Sequence, residues 1–188
     1  MPSEPVYWTD VDQRRLQMDL ADVAALAPDL TFEPPPGVDG AHQGVWIGDL
    51  PLWPFERDRP DGLAELLPRG LRVQVWCSAA HPVVPPDVVP VDPEPLLVER
   101  SMNLWHVAPH GQLCLMQSYG AWTPSDRVSD LLRKACGWHV EYALMKAGVV
   151  EAMSERGIVE DDSRDHLVRA AVEASRATGT GPRTSTDG

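Results

Sequence analysis

The residues best suited to chemistry lie within a nine-residue segment that contains His106, His110, Gly111 and Cys114. A cysteine thiolate is a strong nucleophile, and a histidine near it can donate a hydrogen bond or take a proton. Acyl transfer needs such a nucleophile and a donor for the oxyanion of its tetrahedral intermediate. Cys114 is therefore our candidate nucleophile. His106 is our candidate for the oxyanion donor, or for the cation that lowers the pKa of the thiol.

The same residues would also suit two other kinds of site, a metal site and a hydrolase. His106, His110 and Cys114 follow one another at intervals of four, a spacing that places metal ligands on one face of a helix. Pro109 and Gly111 disfavour a helix there, and no fourth ligand is evident, so we expect no metal site. A Cys/His hydrolase also needs a thiol and an imidazole. The strand-to-helix turn that would present its cysteine is not visible in the sequence.

Plainer structural roles remain open for the same residues. Cys114 lies between two leucines and is alternatively a small buried residue, and His106 is alternatively a structural histidine. His110 is expected to face solvent in a turn. Trp105 and Trp122 are expected to pack and to stiffen the segment.

The elements that position this segment are read from apolar periodicity. After a flexible lead-in over residues 1–9, helical spacing predicts a helix over Asp10–Ala27, capped by Thr9 or Asp10. Short segments bounded by proline and glycine predict four strands, over Leu30–Glu33, Gly44–Leu52, Leu71–Cys77 and Asp87–Val91. The separation of strands from helices predicts the α+β class, with a four-stranded antiparallel meander sheet and helices on one side.

Residues 92–125 have no long periodic segment, and a loop of that length in a compact domain is often functional. Thr123 can cap the helix that follows, because Pro124 suits a first helical position. Three helices are predicted after the loop, over Thr123–Ala147, Val149–Glu155 and Ser163–Ser175. The tail, 177–188, lacks core residues and is predicted to be disordered.

Composition limits the class of partner and compartment. A formal net charge of −12 repels phosphate backbones, which argues against nucleic-acid binding and favours a protein partner with a basic surface. The three cysteines, Cys77, Cys114 and Cys136, do not form a disulfide framework, so a reducing cytoplasm is expected. Cys77 and Cys136 are predicted to be core thiols. No run of eighteen apolar residues is present, and we expect no membrane partner.

Three local patterns together resemble the ubiquitin-conjugating enzyme family over residues 10–157. They are the turn His81–Pro86, the Gly-x-x-Cys-Leu of Gly111–Leu115, and Trp122–Pro124 at the start of a helix. His106 occupies the position of the family's asparagine, eight residues before the cysteine. Divergent bacterial members, some of them from antiphage defence operons (the CBASS type), resemble the chain better than eukaryotic members do.

The resemblance implies a UBC-like fold over 10–157 with a helical extension over 158–176. It implies a transferase, without a cofactor, that accepts a ubiquitin-like protein from a separate activating enzyme as a thioester on Cys114. The acceptor is an amine. In the antiphage systems the cargo can be the C-terminus of a nucleotide cyclase. A catalytically silent UBC-fold scaffold is the alternative.

The resemblance also assigns supporting residues. Gly111, Trp105 and Trp122 would shape the active-site loop. The family's surface for the activating enzyme lies on the first helix, where Arg14 and Arg15 are the candidate partner-binding residues. Gln13 and Gln17 are expected to be exposed beside them.

Overall fold

The sheet is a four-stranded antiparallel meander with the strand order β1-β2-β3-β4, and it confirms the predicted α+β class. The computed structural model describes residues 6–36, 43–116, 122–154 and 157–177. The strands are β1 (Thr31–Glu33), β2 (Val45–Asp49), β3 (Arg72–Trp76) and β4 (Asp87–Asp92). The described residues form six α-helices: α1 (Trp8–Val11), α2 (Gln13–Leu26), α3 (Leu63–Leu66), α4 (Leu97–Arg100), α5 (Val128–Lys146) and α6 (Leu167–Ala177).

The third strand shows why the sheet packs on one side only. Its alternation places Leu71, Val73, Val75 and Cys77 on the core face, and all four are buried as predicted. Val75 lies opposite Trp46 of β2 and opposite Val88 of β4. Apolar side chains of α2 and α5 complete this core. Burial of each such side chain stabilises the fold by about 1.5–3 kcal/mol.

The N-terminal segment departs from prediction in two ways. The single expected helix is two helices, because Asp12 interrupts it and its side chain accepts the Arg15 N–H at 2.9 Å as the cap of α2. The cap expected at Thr9 or Asp10 is therefore wrong. Trp8 and Thr9, expected in the loose lead-in, are helical and buried. Residues 1–5 of that lead-in lie outside the described part of the chain.

The long helix α5 begins at Val128, and the prediction that it starts with Thr123 as its cap is wrong. Thr123 instead begins a separate turn, in which the Asp126 N–H donates to the Thr123 carbonyl at 3.0 Å. The cap comes from another element. Asp22 of α2 accepts the Ser129 N–H at 3.1 Å and so satisfies one of the free donors of the first turn.

The C-terminal segment packs into the same body as the rest of the chain. No helix is found over residues 149–154, so the helix expected over Val149–Glu155 is wrong there, and residue 155 is not described. Helix α6 contacts α3 and α5. Its apolar face contributes to a second core made of Leu63, Leu67, Val140, Leu144, Ile158, Val168 and Ala171. The predicted disordered tail falls on residues 178–188, outside the described ranges, apart from Ala177 at the end of α6.

Arg57 links the loop after β2 to this segment. It donates to Asp165 at 2.8 Å and to the Ile158 carbonyl at 2.6 Å, and its guanidinium lies 4.9 Å from the centre of the Trp53 ring. The predicted extension over 158–176 is thus held by an ion pair as well as by apolar packing. None of the helices in the described ranges has the length and apolar character needed to cross a membrane.

Candidate active site

Cys114 lies on a narrow hairpin that begins at His106. Val107 and Leu113 form an antiparallel bridge, and the Cys114 N–H donates to the His106 carbonyl at 2.8 Å. Val107 and Leu113 are buried. Successive residues alternate between the two faces of a strand, so Cys114, which follows the buried Leu113, lies on the outer face. Cys114 is exposed, so its alternative role as a plain buried residue does not hold. The Leu113 N–H donates to the Val88 carbonyl at 2.8 Å and attaches the hairpin to β4.

The turn of this hairpin requires glycine at one position. Gly111 has φ of 96°, a conformation that other residues rarely adopt, and its N–H donates to the Ala108 carbonyl at 2.8 Å. A Cβ at residue 111 would lie 3.2 Å from Nη1 of Arg100. Gly111 therefore permits both the turn and the close approach of Arg100. His110 is exposed in the same turn, as predicted.

His106 has φ of 49° and ψ of 41°, a left-handed conformation that is uncommon for a residue other than glycine. Hydrogen bonds on both sides stabilise this conformation. The His106 N–H donates to the Asn103 carbonyl at 3.1 Å, and its own carbonyl accepts from Cys114. His106 thus ends the short 3₁₀-helix Asn103–Trp105 and turns the chain into the hairpin. The backbone of His106 has a structural role, and the catalytic role of its imidazole stays a prediction.

The three thiols differ in access to solvent. Cys77 and Cys136 are buried, which confirms that they are core thiols, and burial raises the pKa of Cys136 to about 12. Partial burial also raises the pKa of Cys114 above its ordinary value. Cys114 is therefore accessible but mostly protonated at neutral pH. In the described ranges, no group of three or more His, Cys, Asp and Glu residues is arranged to hold a metal ion.

The two tryptophans predicted to pack around the loop do so. Trp122 Nε1–H donates to the Pro82 carbonyl at 2.8 Å, which ties the segment after the cysteine to the turn His81–Pro86. The ring of Trp105 lies 5.4 Å from the ring of Tyr142, and its carbonyl accepts from Trp138 Nε1 at 2.9 Å. These contacts fix one end of the loop to α5 and the other end to the turn His81–Pro86.

The expected partner surface on α2 is only partly present. Gln13, Arg14 and Gln17 are exposed, as predicted. The expectation that Arg15 is exposed is wrong, because only 4 % of its surface is accessible. A partner can therefore contact Arg14 but not Arg15.

Arg15 belongs instead to a buried charged cluster. Its Nε donates to both carboxylate oxygens of Asp19, at 2.9 and 2.8 Å. Its Nη2 donates to the Asp126 carbonyl at 2.9 Å, and its Nη1 donates to the Pro124 carbonyl. Nε2 of His81 lies 2.8 Å from Asp19 Oδ2, so His81 also belongs to the cluster. The cluster joins α2 to the turn that follows Trp122.

A second buried carboxylate, which sequence reasoning missed, holds the segment before the hairpin. Glu99 of α4 accepts the Leu96 N–H at 2.7 Å and the Tyr142 hydroxyl at 2.8 Å on one oxygen, and Lys146 at 2.9 Å on the other. Burial raises the pKa of Glu99, but these hydrogen bonds outweigh it, and the pKa lies below its usual value. The only sequence signal was a glutamate three residues after the N-cap position of α4.

A small cavity, also missed by sequence reasoning, lies between the end of the loop and α5. Its volume is about 190 Å³. It is lined by Met116, Trp122, Asp126, Asp130, Leu131 and Lys134. Met116, in the wall of this cavity, follows Cys114 by two residues in the sequence. The lining combines two carboxylates, Asp126 and Asp130, with the ammonium group of Lys134 and with apolar side chains.

Comparison of the chain with models of known protein families, with curated proteins and with solved structures finds no match. The resemblance to ubiquitin-conjugating enzymes therefore depends on the three sequence patterns and on the order of the elements. The function has to be inferred from the residues of the site.

Proposed function

We propose that the protein is a ubiquitin-conjugating-like acyl transferase with a UBC-like fold, which carries a protein C-terminus as a thioester on Cys114. The exposure of Cys114 on a fixed, non-helical hairpin is the observation that carries the proposal. Two large proteins must reach the same sulfur in succession, and a thiol on an outer face next to a long helix suits this. The order of helix, meander sheet, loop and long helix supports it, because the resemblance predicts the same order.

Neither the loading of Cys114 with the acyl group nor its transfer to the acceptor amine needs a cofactor. The Cys114 sulfur attacks the thioester carbonyl on a separate activating enzyme, a new C–S bond forms, and the departing thiol takes a proton. The acceptor amine then attacks the same carbonyl, an amide forms, and Cys114 leaves as a thiol. Neither step oxidises or reduces the protein. The cargo is a ubiquitin-like protein or, if the chain acts in antiphage defence, a nucleotide-cyclase C-terminus.

The raised pKa of Cys114 is compatible with this mechanism. A thiol that is protonated at rest resists oxidation, and the thiolate of a higher-pKa thiol is intrinsically more nucleophilic. The His106 carbonyl accepts from the Cys114 N–H at 2.8 Å, so the two residues are neighbours across the hairpin. The His106 imidazole is our candidate to donate to the oxyanion.

A chemical thioester tests the proposal without the activating enzyme. The full chain is mixed with a hexapeptide whose C-terminal glycine is a thioester of 2-mercaptoethanesulfonate, and intact mass is measured. We expect one added acyl group that dithiothreitol removes by thiol exchange, that free lysine discharges, and that Cys114→Ala lacks. Cys136→Ala is the matched control and should load normally. Loading that persists in Cys114→Ala contradicts the proposal.

The same assay separates the two roles of His106. Loss of one oxyanion donor lowers a rate by roughly 10²–10³-fold. We expect His106→Ala to slow lysine discharge by about this factor. Circular dichroism should show that the variant is still folded. Unchanged single-turnover discharge would remove His106 from the chemistry.

One observation favours a silent binding module as the second candidate. Burial raises the pKa of Cys114, whereas strongly activated cysteines have a lowered pKa. A silent module would exchange with the thioester no faster than free cysteine does at the same pH.

A further inference from the structure

Helix α4 and its flanks expose an apolar surface next to the active-site hairpin. The exposed fractions of Leu96, Leu97, Val98 and Met102 are 56, 80, 60 and 42 %. We call these four residues the apolar ledge. A single exposed apolar side chain is ordinary on a protein surface, whereas adjacent ones mark an interaction site.

The ledge is held in place by the buried carboxylate of Glu99. Glu99 lies within α4, and its hydrogen bonds to Tyr142 and Lys146 attach α4 to α5. The bond from the Leu96 N–H to the same carboxylate fixes the first residue of the ledge. A surface that is already ordered loses little conformational entropy when it binds a ligand. A buried acid in a four-residue helix thus supports a preformed binding surface.

The ledge lies within reach of the nucleophile. The Arg100 guanidinium packs against Gly111, where a Cβ would lie 3.2 Å from Nη1. Gly111 precedes Cys114 by three residues, which span at most about 10 Å. Leu97 lies about one helical turn, roughly 5 Å, from Arg100. An extended chain of about six residues, at about 3.3 Å each, therefore reaches from the ledge to the sulfur.

The charges beside the apolar ledge favour an uncharged ligand. The charged groups beside the ledge are paired within the described structure: Glu94 with Arg100, Asp92 with Arg69, and Glu99 with Lys146. The chain's own last residues, 178–188, contain no large apolar side chain that would fill the ledge. A second copy brings another net charge of −12, which opposes association. An apolar, uncharged peptide segment fits best.

We propose that the ledge binds the apolar, uncharged C-terminal segment of the protein that Cys114 carries, about six residues long. The inference rests on the proposed thioester function and adds to it a specificity for the cargo. When the segment is bound, its last glycine lies near the Cys114 sulfur. The acyl group then passes to Cys114 in the loading step described above.

Binding is tested apart from chemistry with two fluorescein-labelled peptide amides, Leu-Val-Ile-Leu-Gly-Gly and Ser-Gln-Ser-Gln-Gly-Gly. Fluorescence anisotropy with the full chain should show at least about tenfold tighter binding of the apolar peptide, since burial of one leucine is worth roughly that factor. Leu97→Asp should remove the difference. Val11→Asp is the matched control, because Val11 on α1 is 72 % exposed and distant from the ledge in sequence. Equal binding of both peptides, or a preference that survives Leu97→Asp, overturns the proposal.

The same two sequences as thioesters test the link to Cys114. The apolar peptide should load at least about tenfold faster, and Leu97→Asp should reduce its rate to that of the polar peptide without changing the latter. Equal loading of both peptides overturns the docking inference and leaves the thioester function standing. Apolar-selective binding without any loading overturns the thioester function, and the carried protein is then excluded as the occupant.

Discussion

Replacement of Arg15 by methionine should destabilise the fold strongly, although sequence alone places Arg15 on an exposed helix face. The change keeps most of the apolar stem and removes the guanidinium. Asp19, whose side chain is 1 % exposed, keeps only His81 as a partner. Removal of one member of a buried ion pair costs about 3–5 kcal/mol, because a buried charge is left uncompensated.

The expected loss is a large part of a typical free energy of unfolding of about 5–15 kcal/mol. Equilibrium unfolding in urea, followed by tryptophan fluorescence, measures it as a lower midpoint at an unchanged slope. Arg14→Met is the matched control. Arg14 is exposed, so its replacement should change the free energy of unfolding by less than about 0.5 kcal/mol.

A double variant distinguishes loss of packing from loss of charge compensation. Arg15→Met combined with Asp19→Asn leaves no uncompensated carboxylate and keeps a hydrogen-bonding partner for His81, so it should be more stable than Arg15→Met alone. A loss below about 1 kcal/mol for Arg15→Met would refute the reasoning. It would also be refuted if the effects of the two single changes simply added, since neighbours in one cluster should couple.

Three further predictions concern other titratable groups. Alkylation of Cys114 by iodoacetamide should rise about tenfold per pH unit up to about pH 8, because burial raises the pKa of its thiol above the ordinary value, and Cys136 should not react; a plateau below pH 8 would contradict this. Burial lowers the pKa of His139 from 6.5 to about 4, so the unfolded chain binds this proton first and stability should fall as the pH drops from 6.5 to 4. The loss, 6.5 − 4 = 2.5 pKa units, is roughly 3 kcal/mol, and urea unfolding of His139→Gln should lack it. Glu99→Gln should cost about 1.5–3 kcal/mol, since it weakens charged hydrogen bonds to a buried group, while the exposed Glu94→Gln should cost little by the same measurement.

The fold could be predicted from the sequence where residues close together in the chain determine the structure. The alternation from Leu71 to Cys77 identified a strand with one buried face, and the burial of its apolar residues confirms it. Proline and glycine around Cys114 excluded a helix there and indicated an irregular segment, which the hairpin is. The UBC-like function and the catalytic role of His106 stay predictions, because they concern chemistry that a fold alone does not test.

The predictions that were wrong concern structure that is determined by residues distant in the chain. The acceptors of Arg15 on Pro124 and Asp126 lie 109 and 111 residues away along the chain, and helical periodicity contains no information about them. The same is true of α5, which is capped by Asp22 rather than by the neighbouring Thr123. The apolar ledge was missed because a four-residue helix is too short to show a period.

The edge strand β4 limits how any peptide can approach the nucleophile. Pro90 has no N–H, and the Val88 carbonyl, on the same edge by alternation, already accepts from Leu113. An incoming chain therefore finds few backbone groups with which to extend the sheet, and the same shortage protects this edge from pairing with other copies and aggregating. Under the proposed function, recognition beside Cys114 depends on side chains, so changes of cargo sequence should alter specificity more than they would in a protein that binds peptides by strand addition.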